Sequence, residues 1–125
     1  MNKKIFLLLV SAIIVLIVMT GCNSSYNKQL KEYEALFQET VDLIDPSSIS
    51  KSINDNNLTE PVEELDYMIN NMASEIPKSK ITDFMILIET HGILVEVVKK
   101  GTNWEQLDEL DKFTIKHSIK ALKSN

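Results

Sequence analysis

Residues 78–100 read KSKITDFMILIETHGILVEVVKK and decide the fold, because this is the most apolar segment outside the first 22 residues. Its length and its lack of turn residues favour one helix over a buried strand. Apolar side chains extend beyond a single stripe, which is typical of a helix at the centre of a bundle. Gly92 costs about 1 kcal/mol relative to alanine inside a helix, so we expect it to permit close helix packing or to mark a break. The predicted stripe consists of Ile81, Phe84, Ile88, Val95 and Val98, widened by Met85, Ile86, Leu87, Ile93, Leu94 and Val97.

Two further helices are predicted before this segment. The first covers 26–44 and ends at Asp45, because a residue before proline avoids the helical region. Residues 46–59 are rich in Ser, Asn and Asp, which compete with helix formation, so we expect a long loop with at most one helical turn. The second helix begins near Thr59 or Glu60 and ends before Pro77. The apolar stripes are Tyr26, Leu30, Tyr33, Phe37, Val41 and Ile44, then Val62, Leu65, Ile69, Met72 and Ile76.

A fourth helix is predicted after Gly101. Thr102 and Glu105 match a capping box, in which each side chain accepts a hydrogen bond from a free backbone N–H at the start of a helix. The helix would carry Trp104, Leu107, Leu110, Ile115, Ile119 and Leu122 on its apolar side. The fold class is therefore all-α, a small antiparallel helical bundle of three to four helices. In the three-helix alternative, the second and third helices merge across Pro77.

The N-terminus has the organisation of a targeting signal. Lys3 and Lys4 precede an apolar run over 5–19. As a helix this run would span about 22 Å, whereas a bilayer core of about 30 Å asks for about 20 apolar residues. The run is therefore typical of the apolar part of a cleaved signal peptide.

The residues that follow resemble the lipobox of bacterial lipoproteins. Val18 and Met19 precede two small residues, Thr20 and Gly21, and then Cys22, the single cysteine of the chain. The resemblance implies that a signal peptidase recognises Met19, Thr20 and Gly21 and cleaves after Gly21. It also implies that diacylglycerol is attached to the Cys22 sulfur. The expected organisation is a signal peptide over 1–21, a short lipidated tether over 22–25 and a helical domain over 26–125.

The resemblance also implies a location. The domain would be held by its Cys22 lipid anchor at the extracytoplasmic face of the cell membrane. The absence of arginine and the frequent Lys, Asn and Ile are typical of an AT-rich genome, which favours a Gram-positive host. Two acyl chains would anchor the domain stably, whereas one chain binds a membrane only marginally.

Composition excludes several function classes. The formal net charge is −5, and the lysines are dispersed, so no nucleic-acid partner is expected. A single cysteine excludes an intramolecular disulfide. No nucleophile motif or phosphate-binding loop is present, so we expect no catalytic residue, no cofactor and no enzyme.

Side chains with chemical potential are few. His91, His117 and Glu89 could form a weak metal site, but the two histidines lack ligand spacing, and we interpret them as ordinary packed residues without a metal. Trp104 lies near Lys99 and Lys100 in sequence and could form a recognition spot. Acidic clusters fit helix first turns, where carboxylates complement the helix dipole. They are Glu60, Glu63 and Glu64, then Glu105, Asp108, Glu109 and Asp111.

Two functions follow as hypotheses. The first is a lipid-anchored module that binds a protein or peptide, like immunity or exclusion lipoproteins by analogy only. The alternative is a small ligand- or metal-binding lipoprotein that serves a transporter, with a pocket along the third helix. A third, weaker idea is that residues 14–21 are released as a peptide signal, because they are similar in character to lipoprotein-derived pheromones.

Overall fold

The computed structural model describes residues 22–124, so the signal segment and its Met19, Thr20 and Gly21 lie outside the described residues. No strand occurs within 22–124, which confirms the predicted all-α class. None of the helices in this part of the chain is long and apolar enough to cross a membrane. The helices are α1 (Cys22–Leu43), α2 (Ile49–Asp55), α3 (Thr59–Ala73), α4 (Ile81–Gly101) and α5 (Glu109–Lys123), with 3₁₀ turns at Lys78–Lys80 and Trp104–Gln106.

Helices α1, α3 and α4 form the long part of the bundle. The start of α1 lies against the end of α3, where Ser25 hydrogen-bonds to Glu75, two residues after α3. The start of α1 also lies against the start of α4, where the Tyr26 and Phe84 rings meet edge to face at 6.3 Å. Helix α3 therefore runs opposite to both of its neighbours. Residues 74–80 separate α3 from α4, so the two helices do not merge across Pro77.

Helices α2 and α5 cover the end of the bundle that is remote from Cys22. Helix α5 begins beside the end of α4, where Lys100 Nζ lies 3.5 Å from Asp111 Oδ1. It ends beside the last turns of α1, where Lys123 Nζ donates to the Val41 carbonyl at 3.1 Å. Among the described residues, the core between the helices contains 18 buried apolar side chains. The members without measurable exposure are Leu58, Leu65, Met72, Leu94 and Val97.

The prediction of a loop over 46–59 is wrong in its middle, where α2 forms. Ile49 and Ile53 are one helical turn apart, and both are buried against the end of α4. Burial of these two side chains outweighs the weak helix propensity of the serines and asparagines around them. Asn57 then has a φ of 48°, a left-handed conformation that asparagine tolerates, and it turns the chain into α3.

The prediction that α4 occupies the bundle centre is wrong for half of its surface. Phe84, Leu94 and Val98 are buried as expected. The opposite side is exposed because the helices packed on α4 meet only its inner face. We call this exposed side the α4 outer face, and it consists of Ile81, Met85, Ile86, Ile88, Gly92 and Ile93.

The two glycines of α4 have roles other than the predicted ones. Gly92 neither packs nor breaks the helix, since a Cβ built there has no neighbour within 4 Å. Gly101 is buried instead, and a Cβ there would overlap the Ile53 side chain. The close approach of α2 to α4 therefore depends on Gly101.

The predicted capping box at Thr102 and Glu105 does not form. Thr102 Oγ1 donates back to the Val98 carbonyl at 2.7 Å and so continues the hydrogen bonding of α4. The N-cap of α5 is Asp108, whose Oδ1 accepts from the Asp111 backbone N–H at 2.8 Å. The fourth long helix therefore begins at Glu109, and not at the predicted capping box.

Candidate functional site

The predicted lipidation residue, Cys22, is the first residue of α1. The expected tether over 22–25 is helical, and its last residue, Ser25, is fully buried. Ser25 Oγ donates to Glu75 Oε2 at 2.5 Å, and Gln29 Nε2 donates to the same oxygen at 2.7 Å. The described part of α1 therefore includes the residue on which the lipid is expected.

The described chain has one polar network in which a histidine links three helices. The Tyr33 hydroxyl lies 2.8 Å from His91 Nδ1, and His91 Nε2 contacts Asp66 Oδ1. These side chains come from α1, α4 and α3. All donors and acceptors are matched if the imidazole proton is on Nε2, which donates to Asp66, while Nδ1 accepts from Tyr33.

The electrostatics of this network favour a protonated tyrosine. Burial raises the pKa of Tyr33, and the negative charge of Asp66 raises it further. Tyr33 is 1% exposed and His91 is 7% exposed, so a substrate has no access to the hydroxyl. The arrangement has the composition of a catalytic triad but the burial of a structural crosslink between helices.

The residues considered for a metal site are not brought together. Both ring nitrogens of His91 are already used, and Glu89 is exposed on the α4 outer side. His117 lies on α5, where its ring packs against Phe113 at 4.5 Å. Within residues 22–124, no group of three or more His, Cys, Asp or Glu side chains is arranged to hold a metal ion.

The α4 outer face is a candidate contact surface. It exposes five aliphatic side chains within thirteen residues, and Met85 and Ile86 are 60% and 57% accessible. Single exposed apolar residues are ordinary, whereas a contiguous patch marks a contact site. Glu89 and Glu96 lie on the same side of the helix as Gly92, at positions three before and four after it. The face is thus apolar with acidic groups along its middle.

The start of α5 exposes a smaller aromatic patch. Leu110 is 72% accessible and Phe113 is 60% accessible, and His117 packs beside Phe113. Leu110 was expected on the buried side, and its exposure follows from the later start of α5, which changes the direction in which residue 110 points.

Trp104 does have cations beside it, but they are not the predicted ones. Lys112 Nζ and Lys116 Nζ lie 5.8 and 5.5 Å from the centre of its ring, whereas the prediction named Lys99 and Lys100. Lys100 instead pairs with Asp111 and with Glu96. Because α5 begins late, its lysines and not those of α4 reach the indole.

The acidic clusters lie mainly at helix starts, as predicted. Glu60 is in the first turn of α3 and accepts from Asn57 Nδ2 at 3.1 Å. Glu109 and Asp111 are in the first turn of α5, after the N-cap Asp108. Glu63 and Glu64 are exceptions, because they lie beyond the first turn of α3, and Glu64 is also buried.

The inner side of α4 contributes to a groove of about 530 Å³ between α1, α4 and α5. The groove resembles the pocket expected for the ligand-binding hypothesis in its apolar character. It is lined by Tyr33, Glu34, Phe37, Gln38, Leu87, Thr90 and Leu122.

Comparisons of the chain with models of protein families, with curated proteins and with solved structures found no match. The function is therefore inferred from the residues and contacts described above.

Proposed function

We propose that this protein is a lipid-anchored docking protein of the extracytoplasmic face of the cell membrane. It binds a helical segment of a partner protein on the α4 outer face. The lipid anchor is supported by the lipobox pattern that ends at Cys22. The observation that supports docking is the exposure of five aliphatic side chains within thirteen residues of a regular helix.

Gly92 supports a helix as the occupant. A glycine in a helix interior costs about 1 kcal/mol against alanine. No group of the described chain takes advantage of the missing Cβ, since the space above Gly92 is open. A glycine without a local role permits close approach of another backbone. We infer that a partner helix crosses α4 at this point, with Met85 and Ile88 on one side and Ile93 on the other.

The charges of the face define the partner further. Glu89 has no cation partner within the described chain, and Glu96 lies 3.7 Å from Lys100. A partner helix with apolar residues and a Lys or Arg opposite Glu89 would complement both features. Its docking would bury the exposed aliphatic area, each side chain contributing about 1–3 kcal/mol at full burial.

Site-specific photo-crosslinking in host cells tests the docking proposal. A benzophenone amino acid replaces Met85 on the α4 outer face or, as the control, Tyr67, which is comparably exposed on α3. We expect one discrete crosslinked product from position 85 that disappears in the Ile88→Glu/Ile93→Glu variant, because two buried charges disrupt an apolar interface. Equal products from both positions, or a product that survives this variant, would contradict the proposal.

The anchor is tested separately. Mass spectrometry of the processed protein should find an N-terminal peptide that begins at Cys22 and carries two acyl chains. The Cys22→Ala variant should leave the membrane fraction. A processed lipid-bearing Cys22→Ala protein would contradict the lipobox assignment, while the crosslinking result would still stand or fall independently.

The alternative function, capture of a small ligand beside a transporter, has one observation in its favour. This is the apolar groove that Phe37, Leu87 and Leu122 line. The groove is open at the surface and borders the buried Tyr33 network. No residue of the α4 outer face lines it, so it does not account for the exposed aliphatic residues. Docking accounts for them, and we therefore prefer it.

A further inference from the structure

A second surface of the domain collects positive charge in an otherwise acidic protein. After the predicted cleavage the chain has eleven lysines and eighteen acidic residues. Four of these lysines, separated by four, four and three residues, lie along one side of α5. They are Lys112, Lys116, Lys120 and Lys123. The sequence analysis interpreted the lysines as dispersed, but helical spacing collects these four.

Three of the lysines border a groove of about 520 Å³ between α5 and the chain that leads into α2. Its floor is apolar, formed by Pro46, Ile49 and Ile119. Its rim is formed by Lys116, Lys120, Lys123 and Ser124, and no acidic residue lines it.

Two of the rim lysines have neutral partners. Lys123 Nζ donates to the Val41 carbonyl, and Lys116 Nζ lies over the Trp104 ring. No carboxylate within the described residues forms a salt bridge with Lys116, Lys120 or Lys123. Asp45 lies close enough to Lys123 to be affected by it: the pKa of Asp45 is held below its usual range by hydrogen bonds from Ser47 and, more weakly, by the charge of Lys123.

We propose that this groove binds an acidic segment of a protein, with Asp or Glu carboxylates on the lysine rim and an apolar side chain on the floor. Carboxylates complement ammonium groups that lack a partner of their own. The apolar floor requires that the ligand also carry a hydrophobic group. This second site is distinct from the α4 outer face, whose acidic centre selects a basic partner.

The position of the groove favours a protein over a lipid surface. Val41, beside Lys123, is nineteen residues beyond Cys22 on the same helix, a distance of about 28 Å at 1.5 Å per residue. The orientation of the groove relative to the membrane depends on the proposed lipid anchor, whereas binding of the acidic segment does not. With Cys22 in the membrane, the groove lies at the far end of α1.

The test uses the processed, lipidated protein in detergent and a fluorescein-labelled peptide of glutamate and leucine. Fluorescence anisotropy should detect binding that weakens with salt, because exposed charges are screened. The Lys116→Gln/Lys120→Gln variant should bind about tenfold more weakly, equivalent to about 1.4 kcal/mol. The matched control, Lys78→Gln/Lys80→Gln, removes the same charge from another exposed site and should bind like the parent.

Several outcomes would overturn the proposal. Equal weakening in both variants would indicate a general charge effect. Undiminished binding of a peptide with glutamine in place of glutamate would remove the role of the carboxylates. Absence of peptide binding, or tighter binding to phosphatidylglycerol vesicles through the same two lysines, would also refute it. The substituted lysines of both variants are exposed. Thermal unfolding of both variants should therefore match that of the parent, and a loss of binding will not reflect misfolding.

Discussion

Helices α3 and α4 pack against each other, yet they distribute their apolar residues differently. In α3 the buried side chains Val62, Leu65, Met68 and Met72 lie on one face, and the rest of the helix is mainly polar. Helix α4 is apolar on both faces, but only the inner face is buried. Apolar content therefore sets how much surface a helix is able to bury, whereas the positions of the neighbouring helices set how much of it is buried. The excess on α4 is the basis for the proposed docking.

The two faces of α4 should contribute unequally to the free energy of unfolding. The largest effect is expected for Leu94→Ala on the inner face, which should lower the free energy of unfolding by about 2–5 kcal/mol through the cavity it leaves. Met85→Ala on the outer face should change it by less than about 0.5 kcal/mol, because Met85 already contacts solvent. Urea denaturation of residues 22–125, followed by circular dichroism, measures both.

A matched variant on α3 sharpens this result. Leu65 has no measurable exposure, like Leu94, so Leu65→Ala should be as costly as Leu94→Ala. A large effect of Met85→Ala in the isolated domain would show that the outer face is covered within the chain, and the docking proposal would lose its basis.

An intermediate effect is expected where α3 and α4 are joined by the histidine network. His91→Leu introduces an apolar side chain of similar size and leaves the buried Tyr33 hydroxyl without its partner. An unsatisfied buried hydroxyl costs about 1–3 kcal/mol, which urea denaturation should detect.

A double mutant separates this loss from altered packing. Adding Tyr33→Phe to His91→Leu removes the stranded hydroxyl and should restore part of the lost free energy, giving a coupling that contacting residues typically show. Additive losses for the two substitutions would mean that the hydrogen bond between Tyr33 and His91 contributes nothing.

Effects of opposite sign are expected at the two glycines of α4. Gly101→Ala brings a Cβ onto Ile53 and should destabilise the domain by about 1–3 kcal/mol. Gly92→Ala places a Cβ in open space and should stabilise it by about 0.5–1 kcal/mol. Thermal unfolding followed by circular dichroism should show a lower and a higher midpoint, respectively. Destabilisation by Gly92→Ala would mean that the space above residue 92 is occupied within the domain.

Periodicity in the sequence predicted the helices α1 and α3 and their buried sides well. Each has one apolar stripe, and a stripe has only one way to be buried. The same reasoning could not choose a side for α4, because both sides satisfied it. It also missed α2, whose two isoleucines are informative only once Gly101 is known to leave space for them.

Some features of the candidate sites could be predicted from the sequence, and others required the packing of the helices. The lysine stripe of α5 is a local pattern, and its spacing was present in the sequence. The contact of His91 with Tyr33 and Asp66 joins residues 58 and 25 positions apart, so only the packing of three helices could reveal it. The N-cap at Asp108 was open to prediction, but the competing pattern at Thr102 and Glu105 matched the capping rule more completely.

The helical conformation of α1 from Cys22 onward has a consequence for how the domain would be presented. A flexible linker lets an anchored domain turn and search a volume around its lipid, whereas a helix that includes the expected lipidation residue would transmit its direction to the whole bundle. Since each helical residue adds a rotation of about 100°, inserting a single residue between Cys22 and Ser25 would rotate the rest of the domain by about that angle relative to the acyl chains. The number of residues in this first turn would then act as a setting of orientation, as important to a partner in the membrane as the surface that it contacts.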